Sequence, residues 1–100
     1  MSRYRIENTV VDSERAVDRF ALGGQKAGYG RIKNFLYRTR RGRWWMEHWY
    51  TWTEDSHRLD YAEWVSVAEA ARLLDEAGES LPELAAKYAE LTEVIEQVSE

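Results

Sequence analysis

The chain of 100 residues contains 44% apolar and 32% charged side chains, one Pro, six Gly and no Cys, a composition typical of a single globular domain. It excludes disordered and collagen-like proteins, and without Cys there is no disulfide framework, thiol nucleophile or Cys-ligated zinc site. The net charge of -4 is unevenly distributed, because residues 1–43 hold 11 of the 14 basic residues but only four of the 18 acidic ones.

The first 30 residues predict a strand, a helix and a loop. Alternating apolar and charged side chains indicate a short edge strand within residues 3–11. Residues 12–22 begin with two residues that cap helices well, and a Gly-Gly pair follows them, so we predict a short N-terminal helix there. Residues 23–30 hold four of the six glycines and predict a flexible loop.

A β-hairpin is the strongest signal in the middle of the chain. Residues 31–39 and 44–53 are rich in aromatic and branched side chains and flank a turn that contains Gly42. A further turn leads to a third strand over residues 59–65. These strands predict an antiparallel meander of three strands, or four if the N-terminal segment joins it.

The turn of this hairpin sets the expected register. Either a two-residue or a four-residue turn places Arg38 opposite Trp45 and Asn34 opposite Trp49. Both indoles then share a face with arginines. The opposite face, which we expect to be the core, carries Phe35, Tyr37, Trp44, Met46, His48 and Tyr50.

Two helices are predicted in the last third of the chain. Ser-x-x-Glu capping boxes begin at Ser66 and Ser80 and indicate helices over residues 67–77 and 81–98. The second helix carries an apolar stripe that must be buried, either against the same chain or in a homodimer. The dimer alternative uses Leu84, Tyr88, Leu91 and Ile95.

The expected fold is therefore α+β in one domain over residues 1–100. A three- or four-stranded antiparallel meander sheet, with its aromatic strands over residues 31–65, is packed by a C-terminal helical hairpin over residues 66–98 and a short N-terminal helix. No apolar run reaches the roughly 18 residues of a membrane span, and the N-terminus lacks a signal-peptide pattern, so we expect a cytoplasmic protein without a membrane partner.

The sequence contains few residue patterns that indicate catalysis. His48 and His57 have no ligand-spaced partners, which argues against a metal site. Glu47 and Glu63 are the only sheet carboxylates that we expect to approach each other, and a charged, half-exposed position explains each of them more simply. Since the sequence has no nucleophile elbow or dinucleotide fingerprint, we do not expect an enzyme. We also expect no cofactor and no small-molecule substrate.

The basic, aromatic hairpin is the one feature that suggests a function. Sheet aromatics can stack on bases while Arg and Lys contact phosphates, which predicts binding of nucleic acid, preferably single-stranded. The residues of this predicted site are Lys33, Arg38, Arg40, Arg41, Arg43, Trp45 and Trp49. The simpler interpretation places both indoles in the core, and the acidic C-terminal helices suggest a protein-protein interaction module as the alternative function. The run from Tyr37 to Glu47, followed by an Ala-Ala-x-Leu-Leu helix and by Leu-Pro-Glu-Leu over residues 81–84, resembles small bacterial proteins. This resemblance implies no function.

Overall fold

The computed structural model describes residues 3–7, 9–28, 30–53 and 57–98. Its strands are β1 (Arg3–Ile6), β2 (Thr9–Asp12), β3 (Asp18–Ala27), β4 (Gly30–Arg38), β5 (Trp44–Thr51) and β6 (His57–Val65). Its helices are α1 (Val67–Glu76), α2 (Leu81–Lys87) and α3 (Glu90–Val98), and one turn of 3-10 helix, Ser13–Arg15, lies between β2 and β3.

Strands β3, β4, β5 and β6 form a four-stranded antiparallel sheet in chain order, and β1 pairs with β2 as a separate hairpin. The predicted α+β fold with an antiparallel meander is therefore confirmed. The fourth strand of the sheet is β3, however, and the N-terminal segment instead forms the separate β1–β2 hairpin.

The helix and the loop expected within residues 12–30 are replaced by the 3-10 turn and β3. Phe20 is buried and Leu22 half-buried, whereas Arg19 and Ala21 are exposed, so burial alternates with the period of a strand. The glycines that follow fall at an irregularity in the pairing of β3 with β4, between Leu22 and Gln25. Burial against the sheet overrides the helix-capping signal.

The β4–β5 turn shifts the expected register by one residue. The Thr39 N–H donates to the Arg43 carbonyl (2.8 Å), and the Gly42 N–H donates to the Thr39 carbonyl (3.1 Å). Gly42 has φ +84°, so the connection is a three-residue loop with a left-handed residue at its end. Arg38 consequently lies opposite Trp44 rather than Trp45.

One face of the sheet, the helix face, packs against α1 and α3. Leu36 and Trp44 are at most 1% exposed on this face, where they meet Leu74 of α1 and Leu91 of α3, neither of which is exposed. Burial of such large apolar side chains is the main favourable term in folding. The largest hydrophobic cluster therefore lies between the sheet and the C-terminal helices.

Tyr88 interrupts the single helix expected over residues 81–98. Its backbone is extended (φ -125°, ψ 104°) between α2 and α3. The Tyr88 hydroxyl donates to Asp18 Oδ2 (2.6 Å), and its ring meets Trp44 edge-on at 5.9 Å. The interruption thus places a large aromatic side chain against the sheet.

The apolar stripe of the alternative dimer interface is largely covered by the same chain. Tyr88 is 3% exposed, Leu91 is fully buried, and Leu84 is half-buried against the same cluster. The side chain of Ile95 lies outside the described residues. Three of the four expected interface residues therefore contribute to the core of their own chain.

The opposite face of the sheet, the hairpin face, is partly covered by the β1–β2 hairpin. Ile6 and Val11 of that hairpin are each 5% exposed and pack against Tyr37 and Trp45. The hairpin covers the end of this face that lies near the β4–β5 turn. The remainder of the hairpin face has no helix or strand described over it.

Candidate nucleic-acid interface

Trp45 belongs to the core of the hairpin face. Its side chain is 1% exposed, its ring stacks on Tyr37 with centroids 4.8 Å apart, and it meets Trp64 edge-on at 6.3 Å. A nucleic-acid base cannot stack on an indole that is enclosed on all sides. Trp45 therefore cannot stack on a base as the sequence predicted.

Arg38 lies on the helix face and is held by an acid that is distant in sequence. Its Nε and Nη2 donate to the two carboxylate oxygens of Glu90, at 2.5 and 3.1 Å, and its guanidinium lies 4.1 Å from the Tyr88 ring centroid. Burial opposes ionisation of Glu90, but the hydrogen bonds from Arg38 lower the pKa of that carboxyl. Arg38 is therefore engaged within the protein and is removed from the predicted phosphate contacts.

The β4–β5 turn presents the other predicted arginines. Arg40 and Arg41 are exposed, and no acid in the described ranges forms an ion pair with either of them. Arg43 is also exposed, and its guanidinium carbon lies 3.7 Å from the centroid of the Trp64 ring. The β4–β5 turn is thus a basic surface made of two exposed arginines and one arginine that stacks on an indole.

Lys33 and Trp49 come together on the open part of the hairpin face. They are direct partners across β4 and β5, and Arg31 precedes Lys33 by two residues on the same face of β4. Lys33 and Arg31 are exposed and Trp49 is half-buried. A cation and an indole on directly opposed residues have Cβ atoms roughly 5 Å apart, within the span of one nucleotide.

Arg19 on β3 extends this basic surface to a third strand. It lies opposite Tyr37, is exposed, and places its guanidinium 4.2 Å from the centroid of the Phe35 ring. Sequence reasoning missed Arg19 because residues 12–22 were expected to form a helix. The alternation of Phe20 and Leu22 with Arg19 is the sequence pattern that could have placed it on a strand.

Glu47 is buried beneath this open surface. It is 1% exposed, and it accepts hydrogen bonds from the Tyr37 hydroxyl (2.6 Å) and from Trp49 Nε1 (3.0 Å). Burial and the hydrogen bond to Glu47 raise the pKa of Tyr37 to about 12. The hydrogen bond to Nε1 fixes the orientation of the Trp49 indole, and among the described strand side chains of this face Glu47 is the one acid.

The expected approach of Glu47 to Glu63 is wrong. Glu63 lies opposite Met46 on the helix face, whereas Glu47 is buried on the hairpin face. Glu63 instead lies 3.5 Å from His48 Nε2, and the His48 ring stacks on Tyr61 with centroids 4.0 Å apart. No group of three or more potential metal ligands occurs within residues 3–7, 9–28, 30–53 and 57–98.

Comparison of the chain with known protein families, with curated proteins and with solved structures finds no match. No helix in the described part of the chain is long and apolar enough to cross a membrane.

Proposed function

We propose that this protein is a small non-enzymatic accessory or regulatory protein that binds single-stranded nucleic acid on the open part of its hairpin face. The observation that carries the proposal is the direct pairing of Lys33 with Trp49, with Arg19 and Arg31 exposed on the same face. The only acid among the described strand side chains of that face is the buried Glu47. A strand of phosphates on this surface therefore meets exposed cations, whereas the one acid among the described strand side chains of the face is buried.

The chemistry of each side chain on this surface determines which part of the nucleic acid it contacts. Arg19, Arg31 and Lys33 contact phosphates, and the exposed part of the Trp49 ring stacks on a base. A stacked base contributes roughly 1–3 kcal/mol, and the contact needs an unpaired base whose flat face is accessible. This requirement favours single strands over duplexes, whose bases are already stacked.

The hydrogen bond from Trp49 to Glu47 supports this role. Since Nε1 is bound at 3.0 Å to a carboxylate that is itself held by Tyr37, the indole does not need to be ordered when a base arrives. Ordering a free side chain on binding costs about 0.5–1.5 kcal/mol, which a pre-oriented side chain avoids. Arg40 and Arg41 at the turn offer further phosphate contacts to a longer strand.

The test is a titration of labelled single-stranded and duplex oligonucleotides, followed by anisotropy, at several salt concentrations. We expect preferential binding of single strands, with log K falling by about 0.7 per phosphate contact for each decade of salt. The double variant Arg31→Gln, Lys33→Gln should weaken binding and reduce that slope by roughly 1.4, since two phosphate contacts are removed. The matched control is Arg5→Gln, Arg58→Gln, which removes the same charge from exposed positions outside the site.

Trp49→Leu tests the stacking contact separately from charge. We expect weaker binding of single strands with an unchanged salt slope, because no cation is lost. Absence of binding at low salt, or equal losses in the Arg31, Lys33 variant and in its control, would contradict the proposed function.

A further inference from the structure

A cleft separates the β1–β2 hairpin from the β4–β5 turn and is distinct from the open surface around Trp49. It has a volume of about 270 Å³, close to the lower limit of about 300 Å³ for small-molecule pockets. One wall consists of β2 and the residues that follow it, including Val10, Val11 and Arg15. Arg40 lines the opposite side, and Trp64 also borders the cleft.

The walls of the cleft combine apolar and cationic groups. Arg15 and Arg40 are exposed and belong to different walls, so the cleft carries one guanidinium group on each side. Arg43 lies nearby, on the Trp64 ring. The acid in the lining, Asp12, is engaged by the Glu14 N–H (3.0 Å) and lies 4.0 Å from Arg15.

This combination suits a ligand with a flat, weakly polar body and a compact dianion. A phosphate monoester carries a charge of about -1.5 to -2 and three strong acceptor oxygens, which two guanidinium forks can share. A nucleobase is flat and can lie between β2 and the Trp64 indole. A volume of about 270 Å³ limits the occupant to a single nucleotide unit.

We propose that this cleft binds one phosphorylated nucleotide, with its phosphate between Arg15 and Arg40 and its base between β2 and Trp64. The choice of a nucleotide over another flat dianion rests on the proposed function. The same chemical unit is supplied by a free mononucleotide or by the phosphorylated end of a nucleic-acid strand. The cleft would then recognise a strand end, while the open surface around Trp49 holds the strand itself.

The first experiment compares ligands on the full chain by calorimetry and by the shifts of the indole N–H signals in NMR spectra. Adenosine monophosphate, adenosine and inorganic phosphate are the three probes. We expect the monophosphate to bind at least about tenfold more tightly than either part alone, since both the charge-assisted hydrogen bonds and the apolar contact are needed. Equal binding of adenosine and its monophosphate would overturn the proposal.

A second arm distinguishes the two sources of the ligand. Oligonucleotides that differ only in a terminal phosphate are compared with the free mononucleotide. If both bind, competition between them identifies a shared cleft. The cleft is not a nucleotide site if the monophosphate does not bind and a terminal phosphate does not strengthen oligonucleotide binding.

Variants then locate the ligand. Arg15→Gln, Arg40→Gln should reduce affinity for the monophosphate at least about tenfold while leaving adenosine binding unchanged. Val10→Glu places a negative charge on a side chain that is 50% exposed, so it should repel the monophosphate without disturbing the fold. The control for the arginine pair is Arg58→Gln, which removes a positive charge from an exposed position on β6 that does not line the cleft. Thermal unfolding confirms that every variant remains folded.

The failure of this proposal can be told apart from the failure of the proposed function. Arg31→Gln, Lys33→Gln should leave binding of the monophosphate unchanged, because neither side chain lines the cleft. Binding of the monophosphate without any binding of unphosphorylated strands would support the cleft and refute the open surface. Loss of monophosphate binding in the Arg31, Lys33 variant, or its retention in the Arg15, Arg40 variant, would refute the assignment to the cleft.

Discussion

The two faces of the sheet are closed in different ways. The helix face is covered by α1 and α3, and its central side chains, among them Leu36 and Leu74, have no exposed surface. The hairpin face is covered only near Tyr37 and Trp45, by a two-stranded hairpin. The uncovered end of the hairpin face is where the exposed cations of Lys33 and Arg31 lie beside Trp49, so the candidate interface lies where the covering hairpin ends.

Each face also holds a carboxylate that is at least partly buried, and the described partners of the two carboxylates differ. On the helix face, Glu90 is paired with the guanidinium of Arg38, and both side chains retain some exposure, 21% and 13%. On the hairpin face, Glu47 is 1% exposed and has the neutral donors Tyr37 and Trp49. The first arrangement joins a helix to the sheet, whereas the second holds an indole in place for binding.

The largest expected effect comes from a cavity in the core of the helix face. Leu74→Ala removes a fully buried side chain and should lower the free energy of unfolding by about 2–5 kcal/mol. Leu73→Ala is the control, because Leu73 is half-buried at the edge of the same cluster and should cost less. Urea unfolding measures both, and equal losses would show that the cluster is not centred on Leu74.

The buried carboxylate of the hairpin face provides the next largest effect. Tyr37→Phe removes the hydroxyl that donates to Glu47 and leaves that carboxylate buried with one donor fewer, at a cost of roughly 1–3 kcal/mol. Tyr61→Phe removes a hydroxyl from a side chain that is 50% exposed and should change stability by less than about 0.5 kcal/mol. If the two variants were equally stable, the Glu47 network would have no net structural role.

The turn that sets the register should show an effect of similar or smaller size. Gly42→Ala places a side chain at φ +84°, which costs roughly 1–2 kcal/mol for an L-residue. Gly23→Ala is the control, since Gly23 has ordinary φ and a Cβ there would meet no atom within 4 Å. Denaturant midpoints of unfolding compare the two variants, provided that their transitions have equal slopes. A Gly42 variant as stable as the wild type would argue against the three-residue loop.

Sequence reasoning succeeded where a local signal had one structural solution. The predicted N-cap at Ser66 is present, with the Ser66 hydroxyl accepting from the Glu69 N–H at 3.1 Å, and α1 begins at the next residue. The order of β4, β5, β6 and the helices was also predictable from aromatic strand patterns and turns. In these segments local propensity and tertiary packing agree.

The register could not be predicted because the turn sequence allows loops of different length. Apolar and aromatic side chains occur on both faces of β4 and β5, so hydrophobic patterning does not select between two registers that differ by one residue. That one-residue shift decides the composition of the candidate site. It moves Arg38 beside Glu90 and places Lys33, rather than Asn34, opposite Trp49.

Contacts between residues that are far apart in the chain could not be predicted from the sequence either. Glu90 lies 52 residues from Arg38, and Tyr88 lies 70 residues from Asp18. No local pattern specifies such partners, because they depend on how α2 and α3 cross the sheet. The cover that the β1–β2 hairpin places over Trp45 was missed for the same reason.

The smallest expected effect is the pH dependence of one of these distant contacts. Asp18 accepts hydrogen bonds from Tyr88 (2.6 Å) and Lys87 (3.0 Å); burial opposes its ionisation, but these bonds lower its pKa below the ordinary 3.8. A lowered folded-state pKa means that the unfolded chain binds the proton more readily. The stabilisation is therefore complete above the ordinary pKa and is lost as the pH falls through the lower value.

Asp18→Asn should accordingly be less stable than the wild type at neutral pH and should lose less stability between about pH 4 and pH 2. Because the Asp18 side chain is 24% exposed and Lys87 is largely exposed, solvent screening keeps the difference small. Urea midpoints measured across this pH range provide the comparison, with Asp75→Asn as an exposed control on α1. Parallel curves for the wild type and the Asp18 variant would show that the contact between Tyr88 and β3 does not depend on the charge of Asp18.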